Sequence, residues 1–111
     1  MGRRTMIAHP YGMTIRFALS QREADRLGKR YNIDTAGAAG WTIITNGVCL
    51  LAVCDGKQST LVHECIHAAV EILTRVGIDP LSNDAEPLTY LSEYIFEHIS
   101  RELARTAQNR P

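Results

Sequence analysis

The dipeptide Asn46-Gly47 constrains the fold of this 111-residue chain more than any other local feature. It lies between two runs that favour β-structure, residues 41–45 and residues 48–53. Asn-Gly between two such runs is the strongest short-range hairpin signal, because both turn residues tolerate positive φ. The sequence therefore predicts two antiparallel strands that are joined by a tight turn.

A strand and a helix are predicted before this hairpin. Residues 13–19 alternate between apolar and polar side chains, as a half-buried strand does. Ser20 can then cap a helix, and Glu23, three residues further on, completes a capping box. This first helix is expected to end at about Tyr31. Residues 1–12 show no such pattern and are predicted to be an irregular leader.

Two further helices are predicted after the hairpin. The first covers about residues 59–76, with a serine or threonine at its start and Gly77 as its stop. The second begins near Glu86, since Pro87 suits a first helical turn, and ends near residue 105. The predicted fold class is α+β, with a short antiparallel sheet and a single domain over residues 13–111.

Composition and charge exclude several classes of protein. The apolar fraction of 45% and the charged fraction of 22% are typical of a soluble globular domain. Twelve basic residues balance twelve acidic ones, so no overall field favours nucleic acid or a membrane surface. No apolar run approaches the roughly 20 residues of a membrane helix. The three cysteines are an odd number that does not suggest a disulfide framework, and the expected location is the cytoplasm.

A five-residue motif of the form H-E-x-x-H, residues 63–67, lies within the second predicted helix. Residues four apart are neighbours on one helix face, so the imidazoles of His63 and His67 can point at one ion. Zinc binds histidine nitrogens at about 2.0–2.1 Å, which two adjacent turns can provide. Glu64 lies about 100° around the axis from His63. On the polar side of the helix, it can act as general base for a metal-bound water without being a ligand.

The motif resembles that of the gluzincins, zinc metallopeptidases whose third ligand is a glutamate on the following helix. Glu86 follows His67 after eighteen intervening residues, a spacing found in several gluzincins. Residues 86–92 are also similar to the glutamate helix of the ImmA/IrrE type and of small phage-encoded metallopeptidase-like proteins. The resemblance covers about residues 41–100 and implies a minimal zincin-like fold, in which the second predicted helix is the active-site helix and the last is the C-terminal glutamate helix. It also implies that Glu86 is the third zinc ligand. Glu93 is the alternative ligand.

The function that these residues predict is zinc-assisted hydrolysis of an amide bond in a protein or peptide substrate. Such a reaction benefits from a second electrophile at the developing oxyanion. Tyr90, which shares a helix face with Glu86, is the first choice for that donor, ahead of Tyr94 and His98. The alternative is a non-catalytic protein on the same scaffold that binds a partner and keeps zinc for structure. The presence of Glu64 favours the enzyme, because this residue is needed for catalysis and not for ligation.

A competing interpretation combines Cys49 and Cys54 with the two histidines in a structural Cys2His2 zinc site, as in a nucleic-acid module. The two cysteines are an odd number of residues apart, so on a continuous strand they face opposite sides. The interval before the first histidine is also shorter than zinc fingers usually have. Cys65 points to the apolar side of its helix and is predicted to be a core residue.

Overall fold

Two strands precede the first helix in the computed structural model, which describes residues 4–108 of the chain. Strand β1 spans Thr5–Ala8 and pairs antiparallel with β2, which spans Met13–Ala18. The predicted irregular leader of residues 1–12 therefore contains a strand, while residues 1–3 lie outside the described part. Four residues are too few to show the alternating pattern of a strand in the sequence. Pairing with β2 holds this segment extended, and its alternate side chains are buried.

Helix α1 spans Gln21–Arg30 and follows β2 directly. The hydroxyl oxygen of Ser20 accepts a hydrogen bond of 3.2 Å from the backbone N–H of Glu23, as the capping signal predicts. The carboxylate of Glu23 reaches back one residue further than a capping box requires and accepts a hydrogen bond from the N–H of Leu19. The cap is confirmed, and it fixes α1 against the end of β2.

The predicted hairpin is confirmed. Strand β3 spans Gly40–Thr45 and β4 spans Val48–Val53, with antiparallel pairing along their whole length. Asn46 and Gly47 have φ angles of 51° and 75°, the left-handed conformation that a two-residue hairpin turn demands.

The sheet differs from the prediction in the direction of one strand pair. Its order is β1-β2-β4-β3, and β2 and β4 are parallel whereas both outer pairs are antiparallel. The predicted antiparallel sheet is thus corrected to a mixed one. Parallel neighbours need a crossover connection, and here α1 and β3 provide it. The nearly continuous burial of β4 is typical of a central strand that is covered on both faces.

Helix α2 spans Gln58–Arg75, within one residue of the predicted bounds, and Gly77 follows it with a φ of 84°. Helix α3 spans Ser82–Gln108. Its early residues 83–85 have φ angles of 53°, 58° and 61°, so the right-handed helix begins at Glu86, as predicted.

The core lies between the sheet and the pair of helices α2 and α3. Helix α2 packs against β3, β4 and α3, so its length is in contact with the rest of the molecule. The largest fully buried side chains come from the sheet and from both helices, and they include Ile15, Leu50, Leu51, Leu61, Ile72, Leu73, Ile95 and Ile99. In residues 4–108, no helix has the length and apolar character needed to cross a membrane.

Candidate functional site

His63 and His67 lie one turn apart on α2, and both side chains are exposed. Their Nε2 atoms are 3.1 Å apart, and the two ring planes make an angle of 69°. Two nitrogens that bind one tetrahedral zinc at about 2.05 Å lie roughly 3.3 Å from each other. The pair therefore matches two corners of a zinc site. The same distance also allows one neutral ring to donate a hydrogen bond to the other.

Glu64 is buried between α2 and the sheet, with 5% of its surface exposed. The hydroxyl of Thr42 on β3 donates a hydrogen bond of 2.6 Å to Glu64 Oε1. The sequence placed Glu64 on the polar side of the helix with the histidines, but the structure turns the carboxylate towards the edge of the sheet. A neutral hydroxyl thus fixes one oxygen of the predicted base.

Gly40 allows α2 to lie close to β3. A Cβ atom at this position would lie 2.7 Å from Thr60 Cγ2, 2.9 Å from the carbonyl oxygen of Ala52 and 3.0 Å from Glu64 Oε2. The Ala52 carbonyl belongs to the sheet and cannot easily move. The other two atoms belong to side chains of α2, so a side chain at position 40 would push α2 away from the sheet. The absence of a side chain therefore sets the distance between the sheet and the carboxylate.

His63 and Glu64 line one open groove, here called the histidine groove, with a volume of about 430 Å³. The other lining residues are small: Ala38, Ala39, Gly40, Ser59 and Thr60. His63 and Glu64 therefore border the same accessible space, while Glu64 itself is almost fully buried.

Asp55 fixes the start of α2 at one end of this groove. Its carboxylate accepts hydrogen bonds from the N–H of Lys57 at 3.0 Å and from the hydroxyl of Thr60 at 2.8 Å. These two hydrogen bonds hold the pKa of Asp55 below its usual value. The predicted cap at Ser59 or Thr60 is corrected, because the cap position is Lys57, which makes no side-chain cap hydrogen bond.

The surroundings of the groove are an edge strand and an apolar strip. Strand β3 is the last strand in the order of the sheet. On α2, Val62 and Ile66 are 44% and 45% exposed, each next to one of the two histidines in sequence. Their exposure places an apolar surface beside the imidazoles.

The third ligand and the proposed oxyanion donor are not brought to the histidines. In residues 4–108, no three His, Cys, Asp or Glu side chains form a group that could hold a metal ion. Glu86 and Glu93 are both exposed on α3. Tyr90 is 66% exposed and lines a different groove, together with His9. Helix α2 continues for about 12 Å beyond the second histidine before the chain turns back, which carries the start of α3 away from it.

The cysteines are buried thiols. Cys49 packs among the core residues under α2 and α3, whereas Cys54 belongs to a separate cluster beneath α1. Burial raises the pKa of Cys49 and of Cys65 to about 12, and it raises the pKa of Cys54 as well. Because metals bind the thiolate, these residues are poor ligands. No Cys2His2 cluster forms in the described part of the chain, and Cys65 is a core residue as predicted.

Sequence reasoning missed Gly40 and Thr42. A signal for them was available, since the two are separated by one residue and therefore share a face of the predicted first hairpin strand. Gly40 and the hydroxyl of Thr42 lie on the face of β3 against which α2 packs closely. What the pattern could not specify is that Glu64 meets this face.

The fold and the site together define a small α+β protein with a four-stranded mixed sheet, in which His63 and the buried Glu64 line one groove and His67 lies one turn further along α2. Comparison with family models, with curated proteins and with solved structures finds no match to this chain.

Proposed function

We propose that this protein is a zinc-dependent metallopeptidase that hydrolyses an amide bond in a protein or peptide, with Glu64 as general base. One observation carries the proposal. The Nε2 atoms of His63 and His67 lie 3.1 Å apart, and His63 lines a groove together with the buried Glu64. A pair of imidazoles with a carboxylate beside it is what this chemistry requires.

The donor set fits two of the three protein ligands that catalytic zinc keeps. His63 and His67 would hold the ion through Nε2, and Glu86 is the proposed third ligand, with Glu93 as the alternative. When bound, zinc polarises the substrate carbonyl and makes water a nucleophile at neutral pH. Completion of the ligand set requires α3 to approach the histidine groove.

Glu64 moves the proton. With Oε1 held by the hydroxyl of Thr42, Oε2 lies beside Gly40 and accepts a proton from the attacking water. The water oxygen forms a bond to the amide carbon, and the carbon–nitrogen bond then breaks. The same carboxyl delivers its proton to the departing nitrogen, so that it ends the reaction ionised.

Strand β3 and the strip of Val62 and Ile66 support a peptide as the substrate. An extended peptide can pair with an edge strand through its backbone, which would lay its amide bonds along the groove. The exposed apolar side chains beside the histidines would contact substrate side chains. Tyr90 is the proposed oxyanion donor, a role that also requires α3 to approach.

A second candidate is a non-catalytic protein that binds a partner and keeps zinc for structure. The observation that favours it is the absence of a third ligand near the histidines in residues 4–108. Under this proposal, a partner would supply the missing ligand.

The test compares Glu64→Gln with the wild type on a peptide library and measures zinc by elemental analysis. The variant should keep about one zinc per chain, and its cleavage rate should be lower than that of the wild type by about a hundredfold or more, because an amide cannot accept the proton. Glu71→Gln is the matched control, since Glu71 is exposed on the same helix. A wild type that holds zinc but cleaves nothing would support the second candidate. A wild type that holds no zinc after reconstitution would overturn both.

A further inference from the structure

A second groove lies between α1 and the C-terminal part of α3, and it is lined by other residues than the histidine groove. Its volume is about 630 Å³, a size typical of small-molecule sites. Its charged lining residues, which define the arginine groove, are Arg4, Arg26, Arg30, Arg105, Glu23 and Glu102. The apolar side chains of Phe17 and Leu27 also line it. The zinc chemistry proposed above uses none of these groups.

The two carboxylates of the arginine groove are already engaged. Glu23 accepts two hydrogen bonds from the guanidinium of Arg4, at 2.7 and 3.1 Å. Glu102 is only 9% exposed and lies 3.3 Å from Arg105 and 3.8 Å from Arg4. Four arginines against two glutamates leave a net charge of two positive units on the lining.

Arg26 and Arg30 are the source of this excess. They stand four residues apart on α1, where like charges repel and destabilise a helix. In the part of the chain that the structure describes, neither has a carboxylate within ion-pair distance. Although burial raises the pKa of Glu23, the Arg4 guanidinium, the Leu19 amide and the more distant Arg26 charge hold it below its usual value. Glu23 therefore stays ionised beside Arg4, and the two arginines of α1 face the groove with no ion-pair partner in residues 4–108.

We propose that the arginine groove binds the phosphoryl group of a phosphomonoester. A phosphomonoester carries about −1.5 to −2 charges at neutral pH, which matches the excess of two. Guanidinium groups bind phosphate oxygens in a bidentate manner, and Arg26 and Arg30 supply two such forks. Phe17 and Leu27 offer an apolar surface for the remainder of the ligand. A phosphodiester carries a single charge per group, so a nucleic-acid backbone fits the local charge less well.

The experiment titrates the full chain with inorganic phosphate, with AMP and with a short single-stranded oligonucleotide at constant ionic strength, by calorimetry. Wild type should bind phosphate and AMP. The double variant Arg26→Gln, Arg30→Gln should lose at least about tenfold in affinity for both, because hydrogen bonds to charged groups are the strong ones. Arg22→Gln is the matched control, since Arg22 is exposed on α1 but does not line the groove. It should bind as wild type does.

Two further measurements exclude other origins of binding. His63→Ala should retain phosphate affinity, which separates the arginine groove from an ion at the histidines. Thermal melts should show that the double variant is folded, as expected for two exposed side chains. The proposal is overturned if phosphate and AMP fail to bind at millimolar concentrations, or if Arg22→Gln weakens binding as much as the double variant. Tighter binding of the oligonucleotide than of AMP would also overturn it.

Discussion

The histidine groove and the arginine groove are assembled in opposite ways. The first takes an imidazole and a carboxylate from His63 and Glu64, which are adjacent on α2. The neighbouring strand β3 adds Gly40 to the lining and a hydroxyl that holds the carboxylate. The second joins Arg4 to Glu23 and to Thr106, residues that are 19 and 102 positions away from it. A chemical pattern that fits within one helix can be read from the sequence, whereas a pattern that spans the whole chain exists only after folding.

Each groove also contains a buried carboxylate, and the partners of the two differ. Glu64 accepts a hydrogen bond from the neutral hydroxyl of Thr42, and in the described residues no cation pairs with it. Glu102 lies between the guanidinium groups of Arg4 and Arg105. A neutral donor therefore orients the carboxylate of the histidine groove, whereas cations on two sides hold the carboxylate of the arginine groove. The following changes test this contrast.

Replacing Glu86 tests whether a residue of α3 completes the zinc site that His63 and His67 begin on α2. Glu86→Gln should weaken zinc binding by more than about a hundredfold. Loss of a residue that only hydrogen-bonds a zinc ligand already lowers metal affinity by about 10- to 100-fold, and loss of a ligand should lower it further. Glu93→Gln should change zinc affinity much less. Competition with a fluorescent zinc chelator measures both variants. If the two variants bind zinc equally well, neither glutamate is a ligand.

The double variant Cys49→Ser, Cys54→Ser is the control for this measurement. It should keep its zinc, because both thiols are buried and, in residues 4–108, form no metal-binding group with the histidines. Loss of zinc there would restore the Cys2His2 interpretation.

Gly40→Ala should disturb the histidine groove through the sheet. The added methyl group would lie 2.9 Å from the carbonyl oxygen of Ala52 and 3.0 Å from Glu64 Oε2, which is closer than van der Waals contact. The free energy of unfolding should therefore fall by about 1–3 kcal/mol. Peptide cleavage should fall as well. Urea unfolding and a cleavage assay measure the two effects. Gly56→Ala is the control: its φ of 69° strains an alanine, but nothing lies within 4 Å of the new Cβ. It should lose stability and keep its activity.

Thr42→Val should lower the cleavage rate by about tenfold while the zinc content stays constant, because it removes one neutral hydrogen bond to the base. Thr42→Ser keeps the hydroxyl and should restore the rate. An unchanged rate in Thr42→Val would show that Thr42 only packs against α2.

Glu23→Gln should have the smallest effect and belongs to the arginine groove. It should lower the free energy of unfolding by about 1 kcal/mol at neutral pH, because it removes a hydrogen-bonded ion pair with Arg4. The pKa of Glu23 is lowered in the folded state from an ordinary value of 4.5, so the ionised form stabilises the fold. This contribution is present above the ordinary pKa and is lost as the pH falls through the lower folded value.

Denaturation of the wild type and of Glu23→Gln between neutral and acidic pH measures the effect. The difference between the two proteins should shrink as the pH falls, and Glu93→Gln, an exposed control, should show no such trend. A difference that does not depend on pH would mean that packing, and not charge, accounts for the role of Glu23.

The sequence by itself determined the features that depend on neighbours along the chain. Asn46-Gly47 specified its hairpin because the turn residues alone decide whether positive φ is tolerated. Ser20 specified the start of α1 because its hydroxyl bonds an amide three residues away. The spacing of His63 and His67 brought their Nε2 atoms together because a helix places residues four apart on one face.

Only the tertiary structure decided how these elements meet. The parallel pairing of β2 with β4 depends on where the crossover returns to the sheet, which no local pattern encodes. Glu64 turned out to be buried against Thr42 because Gly40 lets the helix approach the sheet, although its neighbours along α2 predicted an exposed position. The arginine groove needed both ends of the chain to pack together. Contacts between residues that are distant in sequence form only when the apolar core fixes the helices and strands that carry them. Such contacts leave no periodic pattern in the sequence from which they could be predicted.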